Sequence, residues 1–387
     1  MEITREFTDV LRKRLAEPLN FIQVVIGPRQ VGKSTGMRQL IQSWPGPIHN
    51  VSADGMAPPN ADWLELNWRM AQAMGHGAVL VIDEVQKIPG WSGAVKRLFD
   101  AGRPKRALNV VLLGSASLTL QQGLADSLAG RYELIRVGHW DLSECDRAFG
   151  WDLDTFLTFG GYPGAAELID DVPRWRAFVR DSIIEPVLLR DLLALTAIAK
   201  PALFRQTFEL SLSYPAQEVS LQKLLGQLQE SGNVSTVKHY LNMFEGAFLL
   251  RPLQKYSGST VRKRGSSPKL LPLNTALVHA LHDPADMRRS PDWYGRVFEA
   301  AIGASLCREP HAVYYWREGR NEVDFVVEMD DRIHAVEVKS GRNKRSAGLA
   351  AFCNQYPHAV PVMLDRAKGE RLLRGETLAS VLQGEPP

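Results

Sequence analysis

Residues 24–35 read Val24-Val25-Ile26-Gly27-Pro28-Arg29-Gln30-Val31-Gly32-Lys33-Ser34-Thr35, an apolar run followed by Gly-x-x-x-x-Gly-Lys-Ser. This pattern demands a strand before it and a helix after it, and residues 21–26 and 33–43 suit both. A polyphosphate needs several backbone N–H groups pointing inward with no side chains in the way. Gly27 and Gly32 allow that approach, so the loop from Gly27 through Pro28, Arg29, Gln30 and Val31 to Gly32 is expected to cradle ATP. Lys33 would reach the β and γ phosphates as a mobile point charge. The Ser34 hydroxyl would ligate Mg²⁺ at the first turn of a helix whose dipole favours anions, with Thr35 next in line.

The strongest later strand, 78–82, is a continuous apolar run of the kind buried on both faces of a parallel sheet, and it ends in Asp83-Glu84. Asp83 would hold Mg²⁺ through water beside Ser34, and Glu84 would orient and activate the attacking water, which implies hydrolysis rather than binding alone. The next strand, 110–113, stops at Gly114-Ser115-Ala116-Ser117, where Ser115 and Ser117 fall at the place of a γ-phosphate sensor. Arg131 precedes a third strand, 132–137, a position from which a subunit could project an arginine toward its neighbour's γ phosphate. A surface arginine in a helix-to-strand turn would read the same; the finger reading makes the active species a homo-oligomer. With helical stretches such as 62–74 between the strands, the first third is expected to be an α/β doubly wound sheet.

A chain of 387 residues that is 45% hydrophobic has room for two to four domains with substantial cores. The expected division is an ATPase domain over 1–145, a helical lid or connector over 146–199, a winged-helix domain over 200–285 and a nuclease-like α/β domain over 290–387. The helical stretch 172–199 reads as one or two amphipathic helices. A formal charge of +3 with pI near 8.7 permits nucleic-acid contact without arguing for it. Cys145, Cys307 and Cys353 lack zinc or disulfide spacing and read as buried thiols in a reducing compartment. An early acidic residue at Glu2 and the lack of a long apolar run lead us to expect a soluble, cytoplasmic chain with no membrane partner.

Further along, 220–230 reads as a helix, Ser231-Gly232-Asn233 as a turn, Ser235 as an N-cap and 236–244 as a second helix. Lys238, His239 and Asn242 on the second helix are candidates to face a DNA groove, and Arg262-Lys263-Arg264 would form a basic wing touching phosphates. Such folds also serve as packing modules. In the last segment, Glu337-Val338-Lys339 puts both polar side chains on one strand face, because the strand period is two. With Asp324 from the adjacent strand, Asp324 and Glu337 would hold a Mg²⁺ that activates water, Lys339 would support developing charge, and Glu299 on the preceding helix would add a further acidic group. An alternating strand with an ordinary ion pair would look the same.

The order of these motifs resembles a prokaryotic family of AAA-type (AAA+ superfamily) ATPases that joins an ATPase module, a winged-helix module and a C-terminal restriction-nuclease-like PD-(D/E)xK domain. The residues that carry it are the phosphate loop, Asp83-Glu84-Val85-Gln86, Gly114-Ser115, Leu128-Ala129-Gly130-Arg131, Gly160-Gly161-Tyr162-Pro163, Ser267-Pro268-Lys269, and Glu322-Val323-Asp324 with Glu337-Val338-Lys339. One departure is Asn274, where the family pattern leads us to expect an aspartate. Three functions fit: Mg²⁺-dependent ATP hydrolysis that moves C-terminal modules on DNA, a nucleotide-switched scaffold whose nuclease-like domain is only a docking surface, and a nuclease gated by ATP.

Overall fold

The computed structural model describes residues 3–17, 21–55, 59–102, 108–115, 118–192, 198, 200–228, 232–257, 266–341 and 347–383. They form two compact units, Met1–Gly138 and His139–Pro387.

The first unit is a five-stranded, wholly parallel sheet in the order β2-β3-β4-β1-β5. Along the chain run α1 (Glu6–Leu15), β1 (Ile22–Gly27), α2 (Lys33–Ser43), β2 (Ile48–Ser52), α3 (Ala61–Ala73), β3 (Ala78–Asp83), α4 (Trp91–Gly102), β4 (Leu108–Ser115), α5 (Leu118–Ser127) and β5 (Tyr132–Arg136). The α/β expectation holds for this unit. β1 and β3 are buried almost end to end, as unbroken apolar runs flanked by helices must be. Sequence order makes the chain reverse between β1 and its neighbours β4 and β5, so the carboxyl ends of β1, β3 and β4 open onto a single crevice.

Gly27 departs from expectation in its reason. A Cβ there would sit 2.3 Å from the Val137 carbonyl oxygen, so the residue is glycine to let the chain after β5 pack against the end of β1. Gly32, at φ 88°, is the loop residue whose backbone itself requires glycine.

In the second unit a short sheet, β6 (Gln217–Glu218), β7 (Leu250–Leu253) and β8 (Lys269–Pro272), has β8 in the middle. A four-stranded sheet follows in the order β12-β11-β10-β9, from β9 (Ala312–Glu318), β10 (Asn321–Met329), β11 (Arg332–Val338) and β12 (Val360–Leu364). The two sheets are stitched together where Tyr256 N donates to Tyr315 O at 2.6 Å and Tyr315 N donates to Gln254 O at 3.2 Å. One hydrophobic cluster contains Leu142, Phe156, Leu271, Phe298, Tyr315 and Phe325, and so draws on all three segments expected beyond residue 145. The stretch from 172 begins as a helix, Val172–Phe178, and continues in wider π geometry over Val179–Ile184 and Val187–Leu192. Helix Val234–Gly246 begins earlier than expected. Its N-cap is Asn233, whose Oδ1 accepts from Thr236 N at 2.8 Å, while Ser235 only donates to that same oxygen.

Gly160-Gly161 and Asn274 turn out to be one structural feature. Asn274 Oδ1 caps helix Thr275–Leu281 through Ala276 N at 3.0 Å and also accepts from Gly161 N at 3.2 Å. A Cβ on Gly160 would fall 2.1 Å from that oxygen. The amide oxygen does what a carboxylate would do here, without a buried charge.

Candidate functional site: a phosphate loop and a lysine-filled acidic cluster

The loop between β1 and α2 bends through two left-handed residues, Gln30 at φ 58° and Gly32 at φ 88°, the kind of backbone from which anion-binding concavities are made. No side chain caps α2 and no acidic residue lies in its first turn, so its positive end is presented to the loop. Lys33 lies within this turn, buried, with Nζ donating to Gly27 O at 2.9 Å and Pro28 O at 2.5 Å. The loop is braced from outside by a residue that sequence reasoning missed. Arg5, only 5% exposed, donates to Val31 O at 3.0 Å and Gly138 O at 2.8 Å. A lone arginine ahead of an amphipathic helix gives no signal of that reach.

Across the crevice, the Ser34 hydroxyl donates to Asp83 Oδ2 at 2.9 Å. The expected pairing of these two is therefore in place, and the hard oxygens fit Mg²⁺, which takes few protein ligands and completes its shell with water and phosphate oxygens. Glu84 has left-handed backbone, φ 54° and ψ 38°, uncommon for a residue with a side chain. That turn lets Glu84 N donate to Asp83 Oδ1 at 2.9 Å and starts the short 3₁₀ turn Val85–Lys87. Burial, and then the neighbouring Asp83 charge, push the Glu84 carboxyl above its ordinary range, against the pull of Lys87, Arg29 and Lys33.

Gln86 is the second residue the sequence reading passed over as a site residue. Its Nε2 donates to Glu84 Oε2 at 2.7 Å and to Ser115 Oγ at 3.1 Å, joining the acidic residue to the end of β4. A Cβ on Gly114 would come within 2.6 Å of Gln86 Oε1, so the Gly114-Ser115 pair leaves the slot that Gln86 fills. Ser117 lies outside the described residues. Arg131 is held within its own chain, Nε to Asp100 Oδ1 at 2.8 Å and a terminal nitrogen to Asp100 Oδ2 at 2.9 Å. Reaching toward a neighbour would require breaking this bidentate pair. Beside Ser34 and Asp83 lies a cavity of about 360 Å³, lined in part by Asn50 and Ser52 of β2 and by Arg38 and Ile41 of α2.

In the second unit the four C-terminal candidates do converge. A β-bulge in β10 between Val323 and Val326 re-aims Asp324, whose Oδ2 accepts from Val338 N at 2.8 Å. Glu337 and Lys339 share a strand face, with Nζ 2.6 Å from Glu337 Oε1. Glu299 comes from helix Pro291–Leu306. An unexpected member is Lys269 of β8, which is wholly buried and has its ammonium 2.5 Å from Glu299 Oε1, 3.8 Å from Asp324 Oδ1 and 3.7 Å from Glu322 Oε1. Among the described residues no group of three or more His, Cys, Asp or Glu is arranged to hold a metal ion. Lys238, His239 and Asn242 are exposed on helix Val234–Gly246, and Arg262-Lys263-Arg264 lie outside the described residues.

Residues 20–145 match the family described as AAA domain, 150–288 a domain of unknown function (DUF8612), and 294–378 another (DUF4143). Uncharacterized protein Rv2008c of Mycobacterium tuberculosis is 30% identical over 373 residues, which cover 90% of this chain and 80% of that protein. The chain belongs to its family. Uncharacterized protein MJ1544 of Methanocaldococcus jannaschii is similar at 24% identity over 334 residues, covering 80% of this chain and 72% of its own. In fold the chain is similar to a Walker-type ATPase of Pyrococcus abyssi, with TM-score 0.51 and 12% identity, covering 73% of this chain and 98% of that one. The first unit is thus an AAA-type P-loop domain, a fold that implies nucleotide binding. In this family member the loop, the Ser34–Asp83 pair and the Glu84–Gln86–Ser115 chain of hydrogen bonds stand at the carboxyl ends of adjacent strands, where such sheets bind ligands.

Proposed function

We propose that the protein is a Mg²⁺-dependent ATP hydrolase. The observation that carries this reading is the Ser34–Asp83 hydrogen bond directly across from the phosphate loop, with the buried carboxyl of Glu84 next in sequence. In this reading the loop N–H groups and Lys33 bind the polyphosphate, Ser34 and Asp83 hold Mg²⁺, and Glu84 takes a proton from the attacking water. Held by Ser34 and Asp83, Mg²⁺ would supply neutralisation of the phosphate charge. Ser115 senses the γ phosphate, and Arg131, once freed from Asp100, serves a neighbouring copy.

Exchanging Lys33→Ala should abolish hydrolysis and weaken ATP binding while leaving the far-ultraviolet circular dichroism unchanged. Near-normal turnover in a folded Lys33→Ala variant would sink the assignment.

For the remaining modules, at the expected boundaries 146–199, 200–285 and 290–387, we propose a nucleotide-driven binding role rather than an ATP-gated nuclease. The exposed Lys238, His239 and Asn242 make the helix 234–246 the surface to test on DNA. If Lys238 touches a phosphate, Lys238→Ala should weaken duplex binding on all sequences and reduce the slope of log affinity against log salt by about 1. Equal binding and slope in the native chain and the variant would remove this helix from the DNA reading.

A further inference from the structure

We infer that the acidic cluster of the C-terminal sheet carries its own cation, the Lys269 ammonium, which sits among Glu299, Asp324 and Glu322 in the space a divalent metal ion drawn to Asp324 would need. The inference rests on the second unit alone and is independent of the ATPase reading.

A restriction-nuclease-like site needs carboxylate oxygens with lone pairs turned to a common point that a metal ion can occupy. Here that point is taken. Lys269 lies 2.5 Å from Glu299 and within 4 Å of Asp324 and Glu322, and its Nζ also donates to the Asp324 carbonyl oxygen at 3.1 Å. Its ammonium stands 4.9 Å from the centre of the Phe325 ring. The other Asp324 oxygen is committed to Val338 N, and Glu337 has its own ammonium in Lys339. A divalent ion drawn to the Glu299 and Asp324 oxygens would meet the fixed Lys269 ammonium in a setting that water screens poorly.

Lys269 is also not placed to leave. β8 is hydrogen-bonded on both sides, to Glu218 of β6 and Leu253 of β7. Two residues earlier, Ser267 O accepts the Tyr315 hydroxyl of β9. Three carboxyl groups, from Glu299, Asp324 and Glu322, face the buried lysine. The cluster is therefore a lock between β8 and the C-terminal sheet. It gives a physical role to Ser267-Pro268-Lys269, which no ATPase step uses.

The test is a Mn²⁺ titration of the full chain without nucleotide, with free Mn²⁺ read by electron paramagnetic resonance, comparing native, Asp324→Asn, Lys269→Met and the Lys269→Met/Asp324→Asn double variant. Binding at Ser34 and Asp83 is common to all four and cancels. Native and Asp324→Asn curves should superimpose to about 1 mM, the weak end of carboxylate sites. Lys269→Met should gain a site at least about tenfold tighter that vanishes in the double variant. A native Mn²⁺ site lost in Asp324→Asn would overturn the inference, as would a folded Lys269→Met that gains none. If Lys269→Met does not fold, the comparison of native with Asp324→Asn still decides.

Discussion

Gln86 shows how a single side chain can hold a buried carboxylate in place. With Nε2 shared between Glu84 Oε2 and Ser115 Oγ, the amide ties the Glu84 carboxyl to the end of β4. Gln86→Ala should lower kcat by about 10- to 100-fold, the usual cost of losing an orienting partner, with little change in KM for ATP. A steady-state comparison in which KM alone moves would contradict a positioning role. The raised carboxyl of Glu84 gives a second expectation. An acid whose pKa is raised stays protonated to higher pH, so the acid limb of kcat should lie above the ordinary glutamate value of 4.5 and disappear in the residual activity of Glu84→Gln. At Gly27 the sequence motif was legible and its cause was not. The pattern points to phosphates, whereas the space is taken by Val137 O at 2.3 Å, a partner 110 residues away in sequence terms that no local pattern reveals. Gly27→Ala should cost about 1–3 kcal/mol by overpacking, read as a lower midpoint in denaturant with unchanged slope.

Elements were legible where burial is symmetrical. Helix Lys33–Ser43 and strand Val360–Leu364 fall where the sequence puts them, and β1, β3 and β4 stand out as unbroken apolar runs. β2 gave no such signal. Its Ile48-His49-Asn50-Val51-Ser52 is a partly exposed edge strand with polar residues at alternate and adjacent positions, and it is held in place by pairing with β3 rather than by its own pattern. Helix ends were misjudged when two cap residues stood two apart, as with Asn233 and Ser235, because either sequence position satisfies the capping rule until the chain direction is known. The long-range cap by Asn274 was visible only as a departure from a family pattern. Asn274→Ala should destabilise the second unit by about 1–2 kcal/mol, since it removes acceptors from both Ala276 N and the buried Gly161 N. An unchanged thermal midpoint would show that neither bond matters.

For the whole molecule, the sequence conveyed the α/β character of the first unit and the convergence of Asp324, Glu337, Lys339 and Glu299. It did not convey that a lysine 55 positions before Asp324 sits beside Asp324 and Glu299, because β8 reaches that sheet through tertiary packing alone. All three cysteines are free, with Cys145 buried and Cys307 and Cys353 partly so. Among the described residues no helix is long and apolar enough to cross a membrane. In the proposed function, the crevice at the ends of β1, β3 and β4 hydrolyses ATP with Glu84 as base. Phosphate release from ATP by the native chain, with Mg²⁺ and with a chelator, set beside Glu84→Gln, tests it most directly. Turnover should need Mg²⁺ and fall by about 10²- to 10⁴-fold in Glu84→Gln while ATP remains bound. Turnover of native size in Glu84→Gln, or in the chelator, would contradict it.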